Sequence, residues 1–393
     1  MKLVFILSTI ISFSSWFDQA LVIQTKHWEL RTDLSLKDAR QAGELLDASY
    51  EVYRMYLSNL PQVRNENLQA WVFSNRTDYL ETVQSQTRGD SGVAASTTGS
   101  FIDLGEGRQI LAVDASRGWK QFENVSKHEA FHQFAYSRFR TPLPAWLNEG
   151  LAEYFASSAY INGAIIPGQP TESDIKILKN AIQQNSVMPF LDFMRLNNQE
   201  WGQLTKRGRF PYTQACSMVQ FLVHSDSGAH ANEMDNYLRL LQNGMDDEEA
   251  FVKAFNTSDL EAFQQSWVSY VDQLKPGATI PAAQRLAFLA NGIIEIQNRG
   301  NDMPTTIEEL ATALEEMKFK SQVRVCGETV SFDPSAEDTY TVPMDSLVTE
   351  QPKFVLNTSG QLPIPSTNGL KPSDLQIEWG GTRESPTWKV VLN

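Results

Sequence analysis

An α+β fold is predicted by three features of the chain. Residues 27 to 115 alternate β-prone and helical segments. From about residue 124 to residue 274 the pattern is almost wholly helical. The tail from Val323 to Asn393 returns to β-prone stretches broken by Pro and Gly. With 393 residues the chain has room for two or three domains. The divisions fall at residues 1–20, read as a secretory signal peptide, 21–274 as a main domain, and 281–393 as a small helix-plus-β module after a Lys275-Pro-Gly-Ala linker.

Composition narrows the class. Hydrophobic residues make up 41% of the chain, enough to bury cores. A net charge of −14 argues against nucleic acid or an anionic membrane as the principal partner. The apolar run Leu3–Ile11 behind Lys2 is too short to span a bilayer and suits a signal peptide, which points to a secreted or periplasmic location. Cleavage fits best at Ser12-Phe13-Ser14 and less well at Asp18-Gln19-Ala20. No later run has transmembrane length. Cys216 and Cys326 stand far apart, either as free structural thiols or as one disulfide.

Taken in order, residues 27–33 read as a strand. Asp33 and Ser35 cap a helix to about Leu57, with Leu36, Ala39, Ala42, Leu46 and Tyr50 on one face. Residues 69–74 read as a strand and 78–86 as a short helix. The Gly/Ser/Thr-rich residues 87–100 read as a loop, and Gly105-Glu-Gly107 as a turn. Residues 108–115 form a β-prone stretch, taken as an edge strand. A helix from about Asn124 to Arg138 is broken at Thr141-Pro-Leu-Pro144, and a second runs to about Ser157. Helices follow from Glu172 to Leu274, then a helical pair over about 281–298 and 305–318.

The chemistry is concentrated in KHEAFHQF, residues 127–134. Four residues of helix turn the chain by about 400° and advance it by roughly 6 Å, so His128 and His132 share one face. Two imidazoles so placed can ligate one tetrahedral zinc ion that keeps a position for water. Glu129, beside the first ligand, is placed to act as general base. Sixteen residues after His132 comes Glu149, in WLNEGLAEYF. A helix–turn–helix reversal at Pro142 and Pro144 brings it back as the third ligand. Glu153, one turn on, can accept a hydrogen bond from the far nitrogen of a ligand histidine. One zinc per chain is therefore expected.

HEAFHQF followed by LPAWLNEGLAEYF resembles the gluzincin metallopeptidases, and is most similar to their aminopeptidase-N-like branch and to bacterial gluzincin-like domains that share these motifs. The resemblance covers about residues 25–273, and its specific part is Lys127–Phe155. It implies a thermolysin-like zincin domain with a small mixed sheet, the HExxH helix and a helical subdomain. It also implies zinc on His128, His132 and Glu149, with Glu129 as base, and peptide or protein substrates. In such enzymes a tyrosine often steadies the oxyanion at the start of a later helix. FPYTQACSMVQFL supplies Tyr212 for that role, with Tyr154 and Tyr160 as reserves. The GAMEN-type strand that grips a substrate's amino terminus is absent from GSFIDLGEGRQILAVDA, so endo- versus exopeptidase action stays open. An extended peptide can still add to an edge strand by main-chain hydrogen bonds. The alternative reading is a zinc-containing binding or scaffold module without turnover.

Overall fold

In the computed structural model of the chain the described residues are 16–64, 66–86, 98–105, 108–225 and 228–393. The apolar run Leu3–Ile11 and residues 87–97 of the expected loop lie outside them.

The first lobe is built on a five-stranded sheet. In chain order it comprises α1 (Trp16–Gln19), β1 (Leu21–Gln24), β2 (Glu29–Thr32), α2 (Leu36–Tyr56), β3 (Gln69–Phe73), α3 (Arg76–Gln86), β4 (Gly99–Asp103) and β5 (Gln109–Asp114). The spatial order is β1-β2-β3-β5-β4. β2, β3 and β5 run parallel, while β1 and β4 pair antiparallel at the two ends. Ser35 caps α2, its hydroxyl accepting from the Asp38 N–H, and Ala39, Ala42, Leu46 and Tyr50 are buried as the spacing predicts. Leu36 is exposed.

The expected edge strand over 108–115 is corrected by this topology. β5 lies inside the sheet, and all six of its residues are buried. Leu111 and Val113 enter the main core with Phe122 and Phe131, while Ile110 and Ala112 face Trp71, Phe73 and Tyr79. Both faces of β5 are thus covered, so its alternation marks two cores rather than one wet face. The true edge is β4, part of which falls in the stretch read as a loop.

A helical hairpin follows, α4 (Trp119–Arg138) and α5 (Ala145–Ala156). α4 starts five residues earlier than the sequence suggests, from Gly118, whose φ is +98°. Residues between α5 and the next helix form a β-hairpin, β6 (Ala159–Ile161) and β7 (Ala164–Ile166). Its turn is Asn162-Gly163, both with positive φ, the signature of a tight two-residue hairpin. The Asn-Gly pair is itself the sequence signal for such a turn.

Helices α6 (Glu172–Gln183), α7 (Phe190–Met194), α8 (Asn198–Thr205), α9 (Phe210–His224), α10 (Ala231–Gln242), α11 (Asp247–Phe255) and α12 (Leu260–Gln273) complete the first core. The C-terminal part holds α13 (Thr279–Asn298), α14 (Ile307–Glu316), the hairpin β8 (Gln322–Val325) and β9 (Glu328–Ser331), and a four-stranded antiparallel sheet. That sheet comprises β10 (Lys353–Asn357), β11 (Ile364–Asn368), β12 (Leu375–Thr382) and β13 (Ser385–Leu392). α13 is buried along most of its length, through Leu286, Phe288, Leu289, Ile293 and Ile296. Ala159, Ile161 and Ile166 of the β6–β7 hairpin belong to this second core. Both cysteines are free. None of the helices among the described residues is long and apolar enough to cross a membrane.

Candidate metal centre

The α4–α5 reversal places the histidines and carboxylates together. His128 Nε2 lies 3.1 Å from His132 Nε2 and 3.3 Å from Glu149 Oε2, which is 3.7 Å from His132 Nε2. One donor atom from each residue falls within 4.8 Å of the others. Donors held about 2.0–2.1 Å from a tetrahedral zinc stand roughly 3.3–3.4 Å apart. The three separations scatter about that edge length. Two imidazoles and one carboxylate are also the donor types that zinc prefers, so the residues present fit the ion.

The electrostatics agree with this fit. Burial alone would lower the basicity of His128, but hydrogen bonds and charge from Glu149 and Glu153 outweigh it and hold the ring well above the usual histidine range. Burial would likewise raise Glu149 and Glu153, yet His132 and His128 bring the first carboxyl, and His128 with Arg209 the second, below the usual value. The cluster therefore favours a positive charge at its centre.

Glu153 Oε1 is 3.2 Å from His128 Nδ1, and its other oxygen accepts from Arg209 at 2.9 Å. The Glu153–His128 contact is the one expected from the sequence, and it selects which ring nitrogen faces the cluster. Arg209 was missed. It immediately precedes α9, and the only hint was its place three residues before Tyr212. His132 differs, because its Nδ1 is buried and has no hydrogen-bond partner among the described residues. Its ring packs edge-on against His128 and lies 6.3 Å from Phe131.

Two glycines allow the elements to close around the cluster. A Cβ on Gly150 would stand 2.8 Å from the carbonyl oxygen of Ala215. The bare backbone after Glu149 therefore lets α9 lie against α5. A Cβ on Gly99 would stand 2.3 Å from Val125 Cγ1 and 2.9 Å from Glu129 Cγ, so β4 can approach α4 only with glycine there. At this contact the Phe101 N–H points away from β5 and donates to Glu129 Oε2 at 2.9 Å. Strand alternation puts the backbone of Gly99, Phe101 and Asp103 on the same outer edge.

A cavity of about 620 Å³ opens over this edge, lined by His128, Glu129, His132, Glu149, Asn148 and Tyr212 among others. Tyr212 lies 6.3 Å, ring to ring, from His128 and packs edge-on against Trp201. Burial, reinforced by the charge of Glu149, pushes its phenol up to about 12, so it remains a donor at neutral pH. The reserve tyrosines point elsewhere. Tyr154 pairs its hydroxyl with His224 Nε2 at 2.9 Å, and Tyr160 lines a separate groove of about 1050 Å³ beside α2 and β13. That groove is the larger of the two but holds none of the clustered donors, so size does not identify the site here.

Fold and site together define a helical-hairpin cradle of two histidines and one glutamate against a mixed-sheet edge. Residues 124–241, from α4 to α10, match the model of a family described as "Protein of unknown function (DUF1570)". The match spans under a third of the chain and takes in every residue of the cluster. No curated protein matches the chain.

Proposed function

We propose that the protein is a zinc-dependent metallopeptidase of gluzincin type with a thermolysin-like catalytic domain. The observation that carries the reading is the convergence of His128, His132 and Glu149 beside Glu129 at an open cavity bordered by a sheet edge. These three residues would hold the zinc, which when bound would supply Lewis acidity and make a water easier to deprotonate.

The remaining roles belong to the chain itself. The outer edge of β4 binds an extended peptide through main-chain hydrogen bonds. Glu129, oriented by the Phe101 N–H, takes the proton of the attacking water and delivers it to the leaving amine. Tyr212 donates its O–H to the developing oxyanion. Glu153, braced by Arg209, keeps His128 in the ligating orientation. Secretion is part of the proposal. Of the two cleavage positions, the one after Ser14 retains Trp16, which packs against Phe73 with ring centroids 4.2 Å apart.

The test combines metal analysis with turnover. Purified protein should hold near one zinc per chain, Glu149→Ala should lose most of it, and Glu129→Gln should keep zinc but cleave no peptide. Zinc without turnover in any peptide library, with Glu129→Gln behaving as wild type, would replace the enzyme by a zinc-stabilised binding module. No zinc after reconstitution would overturn both readings.

A further inference from the structure

We propose that Arg64 makes the far arm of the cavity a receptor for a peptide carboxylate, either an acidic side chain or a free C-terminus. The inference rests on the peptidase reading and adds a substrate class to it.

Past His132 on α4, the same cavity is lined by Tyr136, by Phe139, Pro142 and Leu143 of the following turn, and by Arg64. The Arg64 guanidinium lies over the Tyr136 ring, 4.0 Å from its centre, and donates to the Arg140 carbonyl at 2.5 Å. These contacts fix the planar group without neutralising it.

The nearby acids do not pair with Arg64. Glu66, two residues along the chain, accepts from Arg138 at 2.9 Å, Tyr50 at 2.6 Å and Ser137 at 2.8 Å. Asp103, in the same cavity wall, accepts from the Gly105 N–H at 2.9 Å. Among the described residues no carboxylate forms an ion pair with Arg64. A permanent cation on an aromatic face, beside apolar side chains and without an ion-pair partner among the described residues, is suited to a carboxylate brought by the ligand. Tyr136 lies one helical turn past His132, about 6 Å along α4. Extended peptide advances about 3.3 Å per residue, which sets the carboxylate roughly two residues from the scissile bond.

The experiment uses the full-length Glu129→Gln chain loaded with zinc and fluorescent hexapeptides followed by anisotropy. Glu is placed at each position in turn against a Gln twin, and each peptide is made with a free and an amidated C-terminus. One placement of the carboxylate should bind at least about tenfold more tightly than its neutral twin. The Glu arm and the terminus arm tell the two sources apart. In Arg64→Met the ratio should fall to about one, and in Arg64→Lys it should be cut severalfold, since the charge survives but the planar fork does not. The lysine variant also guards against a methionine variant that fails to fold. A preference that survives Arg64→Met, or none at any position, overturns the proposal. Turnover by the wild type is scored separately. An Arg64-dependent preference without any cleavage overturns the peptidase reading alone. Cleavage without a carboxylate preference overturns the Arg64 assignment alone. Failure of every peptide to bind overturns both.

Discussion

Removing the Glu153 carboxylate should loosen metal at a site it does not touch directly. Its Oε1 holds His128 Nδ1 at 3.2 Å, and its other oxygen is braced by Arg209 at 2.9 Å. Loss of a group that orients a ligand histidine typically weakens metal binding by about 10- to 100-fold. A contact of 3.2 Å sits at the long end of the hydrogen-bond range, so Glu153→Ala belongs near the lower bound, about tenfold or 1.4 kcal/mol. Arg209 acts one step further out, and its side chain is 67% exposed, so solvent screens the pair. Arg209→Ala should therefore cost no more than about threefold. The assay is a zinc titration in competition with a chelating fluorophore at fixed pH, with thermal melts of the apo proteins as a folding control. Equal losses in the two variants, or unchanged affinity in Glu153→Ala, would refute the assignment of Glu153 as the residue that positions His128.

Other consequences can be checked in parallel. Tyr212→Phe should lower kcat by about 10²–10³ while leaving zinc content intact, as for loss of one oxyanion donor; an unchanged kcat assigns that role elsewhere. Gly150→Ala forces a methyl against the Ala215 backbone and should destabilise by about 1–3 kcal/mol in urea unfolding, and a neutral result would mean that α5 and α9 separate easily. Gly99→Val should push β4 off α4, reducing turnover of extended peptides more than zinc affinity, which metal analysis beside kinetics will resolve. Asp247 supplies a pH test, because burial, with the charges of Asp246 and Glu248 adding to it, pushes its carboxyl from 3.8 up to about 6. The native state then binds this proton more tightly than the unfolded chain. The penalty is full above pH 6 and fades as the pH falls through 6 towards 4. Relative to Asp247→Asn, the wild type should thus gain stability on going from pH 7 to pH 5, and a gap between them that ignores pH would contradict the shift.

The sequence carried the site further than it carried the sheet. Helical spacing alone brought His128 and His132 to one face, and the two prolines marked the reversal that returns Glu149 and Glu153. These are local regularities, and α-helical geometry makes them legible. The edge strand was not legible, because what defines β4 as an edge is the long-range order β3-β5-β4, and its first two residues, Gly99 and Ser100, continue the Gly/Ser/Thr-rich run. β5 misled for the opposite reason, since its alternation looks one-sided until two cores are seen to cover it. Arg209 and Arg64 act through partners 56 and 72 residues away or more, Glu153 for one and Tyr136 for the other, and nothing near either arginine announces the contact. The Asn162-Gly163 turn, by contrast, is a local signal that the sequence carries by itself.

That small hairpin has a consequence for how the chain can be divided. Its strands follow α5 directly, yet Ala159, Ile161 and Ile166 sit in the core built by α13 and the C-terminal strands. Cys326 Sγ reaches the Tyr160 carbonyl at 3.4 Å, and Gly327 rests against Lys120 at the start of α4. The visible linker near Lys275 is therefore a seam in sequence and not in space. A nick there should leave two fragments that co-purify, held as by a tenon in its mortise. Either fragment expressed alone would carry a bare apolar face. The two lobes could not have been shuffled as interchangeable parts without carrying the hairpin and its socket together.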